Sequence, residues 1–237
     1  MAGEAIRYTR GKAKRARGDG IPLHSSTPVP VAGSSVFVTI SAGQNHTCGV
    51  TASGTTLCWG DNSSGQLGNG SDDFVSDVPV VITGTSFASV SAGASHTCGL
   101  TAAGAALCWG DNSYGQLGVG DPDVFQSNAP LTVAGGLRFK SISAGSKSTC
   151  GVTIAGAAYC WGDNAYWQLG TTNVLSSDTP VAVGGGHTDF TAVTTGARHA
   201  CASSPAGAFC WGSNILGALG NELQAIRQPL PTKTVIP

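Results

Sequence analysis

The feature that most restricts how this chain can fold is one long motif written four times. Aligned on Cys-Trp-Gly, the sequence reads LCWGDNSSGQLGNG from Leu57, LCWGDNSYGQLGVG from Leu107, YCWGDNAYWQLG from Tyr159 and FCWGSNILGALG from Phe209. The tryptophans Trp59, Trp109, Trp161 and Trp211 stand 50, 52 and 50 residues apart. A fixed period outranks the total length of 237 residues as a guide to domain count, because each period is one supersecondary unit that buries its faces only against its neighbours. A second anchor recurs at Pro28, Pro79, Pro130, Pro180 and Pro229, the first four in PVPV, PVVI, PLTV and PVAV, so five copies of this segment enclose four of the rest.

Within one period, VPVVI, FASVSAG, HTCGLT and AALCWG are short apolar or β-branched runs separated by glycine-containing turns, the pattern of four strands. No helical periodicity extends over a useful length. The spacing predicts an all-β, four-bladed repeat array of propeller type, with four antiparallel strands in each blade of about 50 residues. The array is expected over residues 28–237, with units at about 28–78, 79–129, 130–179 and 180–228 and a terminal strand at 229–237.

The net charge of −1 conceals an asymmetry. Arg7, Arg10, Lys12, Lys14, Arg15 and Arg17 are half of the twelve basic residues, and from residue 18 onward the formal charge is −6. A body of that sign repels nucleic acid, so nucleic-acid binding would have to come through the leader. Residues 1–27 read as a disordered basic leader, with a DNA-binding or nuclear-targeting arm as the alternative. No apolar core follows the basic residues, so the leader does not have the form of a secretory signal, and no apolar run approaches the roughly 18 to 20 residues that span a bilayer.

Cys-Trp-Gly-x-Asn-x-x-Gly-Gln-Leu-Gly, following Ser-Ala-Gly-x-x-His-Thr, resembles the regulator of chromosome condensation repeat family over about residues 28 to 232. The paired glycines of kelch repeats are missing. The resemblance implies a β-propeller, usually of seven blades, that serves as a rigid platform for protein recognition. It implies no single activity, since one fold hosts many functions. Four units at the blade angle of a seven-blade ring would leave an open arc; a tightened ring is the alternative.

The eight cysteines fall into four pairs, Cys48 with Cys58, Cys98 with Cys108, Cys150 with Cys160 and Cys201 with Cys210, each bracketing one expected hairpin. A hairpin centred on Ser53 sets residue 50 opposite 56 and 48 opposite 58, within disulfide reach. Disulfides are the favoured reading and point outside the cytoplasm, although no export signal accompanies them. Buried free thiols are the competing reading, while zinc is disfavoured because the spacing lacks a short Cys-x-x-Cys knuckle. His46, His96 and His199, matched by Ser148 in the third unit, read as structural histidines bonded within their own loops.

No Gly-x-Ser-x-Gly elbow or Ser-x-x-Lys motif is present, and nothing in the sequence calls for a metal or a cofactor. The acidic turns at Asp72-Asp73 and Asp121-Pro122-Asp123 read as solvated loops rather than calcium ligands. Equivalent positions on successive blades lie side by side, so the differences between units map a surface. Three residues before the first cysteine stand Asn45, Ser95, Lys147 and Arg198, and Arg138 and Lys140 also belong to the third unit. In the loop after Cys-Trp-Gly, Ser64, Tyr114, Tyr166 and Leu216 are equivalent, and Trp167 replaces Gly65, Gly115 and Gly217. If that position needs positive φ, Trp167 implies a changed loop.

These residues compose a candidate binding surface of Lys147, Arg198, Arg138, Lys140, Tyr114, Tyr166 and Trp167. The chain thus reads as a non-catalytic scaffold for a protein partner, with self-association through the terminal blades as a further expectation and no membrane role. A hydrolase with its site on one propeller face, or a piece of a larger repeat protein, are the alternatives.

Overall fold

A computed structural model describes residues 18–20, 25–221 and 226–234; most of the basic leader, residues 1–17, lies outside the described residues. Sixteen strands form four sheets of four. The first contains β1 (Phe37–Ala42), β2 (His46–Thr51), β3 (Thr56–Asp61) and β4 (Val75–Ile82), and the second β5 (Ser89–Ala92), β6 (His96–Leu100), β7 (Ala106–Asp111) and β8 (Gln126–Thr132). The third contains β9 (Phe139–Ala144), β10 (Ser148–Thr153), β11 (Ala158–Asp163) and β12 (Ser176–Ala182), and the fourth β13 (Ala192–Thr195), β14 (His199–Ser204), β15 (Gly207–Ser213) and β16 (Arg227–Lys233). Each sheet is a four-stranded antiparallel blade in sequence order.

The blades are phased one strand later than the units at 28–78, 79–129, 130–179 and 180–228. Each proline-bearing strand closes the sheet before it rather than opening the next: β4, with Pro79, pairs with β3, and β16, with Pro229, pairs with β15. An outer strand suits proline, since its outward edge has no ladder partner to donate to.

The turns holding Gly43, Gly93, Gly145 and Gly196, one from each blade, gather around one shallow depression. Three hydrophobic clusters hold the blades together, one for each consecutive pair. Cys48, Val50, Cys58, Leu67 and Ile82 of the first blade meet Phe87 and Trp109 of the second, and the pattern repeats twice. Among the described residues no such cluster joins the fourth blade to the first, and Val38 and Ile40 of β1 are each 60% exposed, the arrangement of an open arc.

The repeated motif is the chemistry of these contacts. The carbonyl of Gln66 accepts from Trp109 Nε1 (2.9 Å) and Thr97 Oγ1 (2.9 Å) of the next blade, and Gln116 does the same for Trp161 (2.9 Å) and Thr149 (2.8 Å). The Gln66 side chain holds its own loop, donating to Asp61 (3.0 Å) and accepting the Ser64 N–H (2.8 Å). Gly68 closes the contact at φ +67, where an added Cβ would stand 2.5 Å from the Trp109 ring nitrogen.

Trp59, Trp109, Trp161 and Trp211 are all at most 1% exposed, whereas Trp167 is partly exposed. Trp109 packs on Phe87 with ring centroids 5.4 Å apart. Trp109→Ala is expected to cost about 3 to 5 kcal/mol, from lost burial and an emptied inter-blade site. Urea unfolding checks this; a loss below about 1 kcal/mol would show that the indole does not fasten the blades.

His46 and His96 bond across blades, not within their own loops. His46 Nε2 lies 2.8 Å from Thr97 Oγ1 and His96 Nε2 2.8 Å from Thr149 Oγ1. The contact crosses because the hydroxyl that each ring reaches belongs to the following blade's second strand. At the third interface both members change together, with Ser148 and Ala200 at the equivalent places.

Candidate functional site

Two kinds of loop share one face of the arc: the inner turns that end in Asn45, Ser95, Lys147 and Arg198, and the longer loops that follow Cys-Trp-Gly. Their juxtaposition is fixed by backbone bonds such as Asp163 N–H to the Lys147 carbonyl (2.9 Å) and Ser213 N–H to the Arg198 carbonyl (2.8 Å).

On this face the structure brings together five of the seven sequence candidates. Lys147 Nζ sits 4.1 Å from the Tyr114 ring centroid and donates to its hydroxyl at 2.8 Å. That hydrogen bond raises the lysine pKa above its ordinary value. Arg198 stacks over Tyr166 at 4.4 Å, one blade further on. In each pair the aromatic ring comes from one blade and the cation from the next, so two neighbouring interfaces carry the same recognition element. The equivalent positions earlier in the arc, Ser64 and Ser95, are small and uncharged. Arg138 and Lys140 stand elsewhere, at the far end of β9, where Phe139 pairs with Thr153.

A third pair joins Trp167 to Arg227, 4.5 Å from the ring centroid. Arg227 also donates to the Ala165 carbonyl at 3.0 Å. Sequence registration missed Arg227, whose signal was its place on the last proline-bearing strand, opposite Ser213. Trp167 does not change its loop. It adopts φ +63, matching Gly65 at +79 and Gly115 at +81, and keeps their bonds, with its N–H on the Asn164 carbonyl at 3.0 Å. The loop is held by the Asp163, Asn164 and Gln168 side chains, so it imposes the left-handed backbone on whatever residue follows Tyr166. That conformation costs a side-chain-bearing residue about 1 to 2 kcal/mol.

Clefts open at the earlier interfaces. One of about 510 Å³ is lined by Asn62, Gly65, Asp72, Phe74, Gln126 and Asn128. Another of about 360 Å³ is lined by Tyr114, Gly115, Asp121, Phe125, Ser176 and Asp178. The Trp167–Arg227 stack occupies the equivalent positions at the third interface. Beside them runs a row that the sequence reading missed: Phe74, Phe125, Leu175 and Ile226, each accepting an N–H from the loop asparagine of its blade and each more than 60% exposed. The acidic turns brace loops, with Asp72 accepting from Asn128 (3.1 Å) and Asp73 from Ser71 (3.0 Å).

The family description "Regulator of chromosome condensation (RCC1) repeat" matches residues 53–100, 103–152 and 155–203, and a second model for the same repeat matches 37–66, 87–116 and 139–168. No curated protein sequence matches the chain. Among solved structures, Prp20p from Saccharomyces cerevisiae, described with its binding properties to Gsp1p and histones, is similar at 22% identity and TM-score 0.79, over 94% of this chain and 56% of that one. Human WBSCR16 is similar at 23% identity and TM-score 0.76, over 87% of this chain and 55% of that one. Yeast RCC1 (Prp20) bound to Kap60 is similar at 21% identity and TM-score 0.76, over 87% and 50%. The chain spans about half the length of these structures.

Proposed function

Since this chain belongs to the regulator of chromosome condensation repeat family, we propose that it is a non-catalytic scaffold that recognises a protein partner through the loop face of its second, third and fourth blades. The observation that carries this reading is the left-handed Trp167, a bulky ring kept where other blades have glycine and stacked under Arg227. A strained residue at a partly exposed site is a sign of use, because packing alone would favour glycine there. With Lys147–Tyr114 and Arg198–Tyr166 beside it, the face offers three cations on aromatic rings, suited to an acidic segment with apolar side chains.

The fold contains its own control. Trp167→Gly, Lys147→Asn and Arg198→Ser install residues found at the same positions in other blades, so the triple variant should melt within a few degrees of the parent. Its affinity for acidic peptides bearing Trp, Phe or Leu, measured by fluorescence anisotropy, is expected to fall at least tenfold. Unchanged affinity, or no binding of such peptides by the parent, would remove this face as the recognition site.

The other terminus of the arc bears on the expected self-association. On the trailing face of the fourth blade, Ser203 stands where Val50, Leu100 and Val152 are buried, and Thr234 where Ile82 and Val133 are buried. Polar residues at these positions weigh against association through that blade.

A further inference from the structure

Residues 18–20 and 25–32 take, against the first blade, the place that the end of one blade takes against the next. Gly18 has φ +74 and lies on Trp59, where an added Cβ would come within 2.6 Å of Nε1; Gly68 on Trp109 and Gly118 on Trp161 give 2.5 and 2.6 Å. Ala32 N–H donates to the Gly18 carbonyl at 2.7 Å, as Ala134 does to Gly118 at 2.8 Å. Gly20 N–H donates to Asp77 at 3.0 Å, as Gly70 does to Asn128 and Gly120 to Asp178, both at 2.8 Å. Pro28-Val29-Pro30-Val31-Ala32 therefore corresponds to Pro130-Leu131-Thr132-Val133-Ala134, which holds the end of β8 and the residues after it. It occupies the place of a fourth strand for a further blade.

The inner part of the same face is uncovered. Ile40 is 60% exposed, whereas its counterpart Val193 is 8% exposed, and Val38 of the edge strand β1 and Val36 just before it are exposed as well. Between blades the inner strands are linked by serine, with Ser41 Oγ accepting from Ala92 N–H (2.9 Å), Ser91 from Ala144 (2.9 Å) and Ser143 from Thr195 (3.0 Å). Ala42 is the first blade's counterpart of those donors; it is exposed, whereas Ala92 and Ala144 are buried.

We propose that this leading face is a docking surface for a three-stranded sheet of the same repeat type, which residues 28–32 complete as its fourth strand. The three internal interfaces specify the occupant: an inner strand carrying serine for the Ala42 N–H and a valine or isoleucine for Ile40, then a cysteine-paired hairpin ending in Cys-Trp-Gly. A second copy of the chain fits poorly. Its fourth blade already has β16 in the fourth-strand place, which would collide with residues 28–32, and it presents Ser203 and Thr234 in place of apolar residues.

The test duplicates residues 85–117 in place of 1–17, so that the copied Leu117 runs into Gly18 as the original runs into Gly118. The two added thiols are expected to resist alkylation as a fifth disulfide, and the melting midpoint to rise by about 5 °C or more. Ile40→Lys should leave the parent's midpoint unchanged and abolish the gain in the duplicated protein. Added thiols that stay reactive, or a gain that survives Ile40→Lys, would overturn the proposal. Should the duplication fail to fold, hydrophobic-dye fluorescence of the parent gives the second reading. It should fall at least twofold in Val38→Lys/Ile40→Lys, and unaltered dye binding, or a dimer that this change dissociates, counts against the proposal.

Discussion

Reduction of the four disulfides is expected to unfold this molecule in water at room temperature. Each bond joins residues directly opposite in a hairpin, Cys48 with Cys58, Cys98 with Cys108, Cys150 with Cys160 and Cys201 with Cys210, with Cα atoms 4.1 Å apart. Closing a loop of about ten residues removes denatured-state entropy equivalent to about 2 to 3 kcal/mol, so four independent loops amount to about 10 kcal/mol. That is comparable with the whole stability of an ordinary domain, about 5 to 15 kcal/mol. The first three pairs are completely buried, so native protein should shield them from reductant, and reduction should be done in denaturant before refolding. Oxidised protein should give a cooperative guanidinium transition, reduced protein none. The Cys98→Ala/Cys108→Ala variant should lose about 2 to 3 kcal/mol while keeping that transition. Eight alkylatable thiols in native, unreduced protein, or an unchanged midpoint after reduction, would contradict it.

What could be read in advance followed from periodicity and from pairing by twos. The register of Cys48 with Cys58 and Val50 with Thr56 came directly from counting outward from Ser53, because antiparallel strands face residues at equal distances from the turn. The phase of the blades was not legible. A repeat can be cut anywhere without altering its period, and only strand pairing shows that Pro79 ends a sheet. The histidines were misread for a related reason. His46 is close to its own loop in sequence, while its partner Thr97 is a neighbour only once two blades stack. One clue was present in the sequence, since the third histidine position and the threonine that should receive it are replaced together by Ser148 and Ala200. At the candidate site, comparing equivalent positions found Lys147, Arg198, Tyr114, Tyr166 and Trp167. It also gathered in Arg138 and Lys140, because membership of one unit does not say which end of a strand a residue occupies. Trp167 was expected to reshape its loop; the side-chain bonds of Asp163 and Gln168 proved the stronger constraint.

Stability should fall steeply as pH drops from about 6.5 to about 4, and His46 and His96 should account for most of the fall. Each of Thr97 and Thr149 donates its one hydroxyl proton to a glutamine carbonyl, so it can only accept from the histidine. Nε2 of His46 and of His96 therefore carries the proton, and Nδ1 of each is buried with no hydrogen-bond partner. A second proton would charge the ring and leave that new N–H without an acceptor. Burial lowers both pKa values to about 4; at His46 the charge of Asp61 opposes the shift, and at His96 the Coulomb effect of His46 adds to it while Asp111 opposes it. The unfolded chain, with an ordinary value near 6.5, takes up these protons first, so stability is complete above pH 6.5 and is lost as pH falls toward 4. The two shifts correspond to a loss on the order of 3 kcal/mol per histidine across that window, after which both states are charged and this contribution levels off. Replacing the pair His96 and Thr149 by Ser and Ala copies the third interface, where the chain already does without it. Urea titrations at several pH values should show the variant losing about half as much stability as the parent between pH 6.5 and 4. A parent whose stability stays flat over that interval, or a variant that keeps the full dependence, would show that these two rings do not couple the blades to pH.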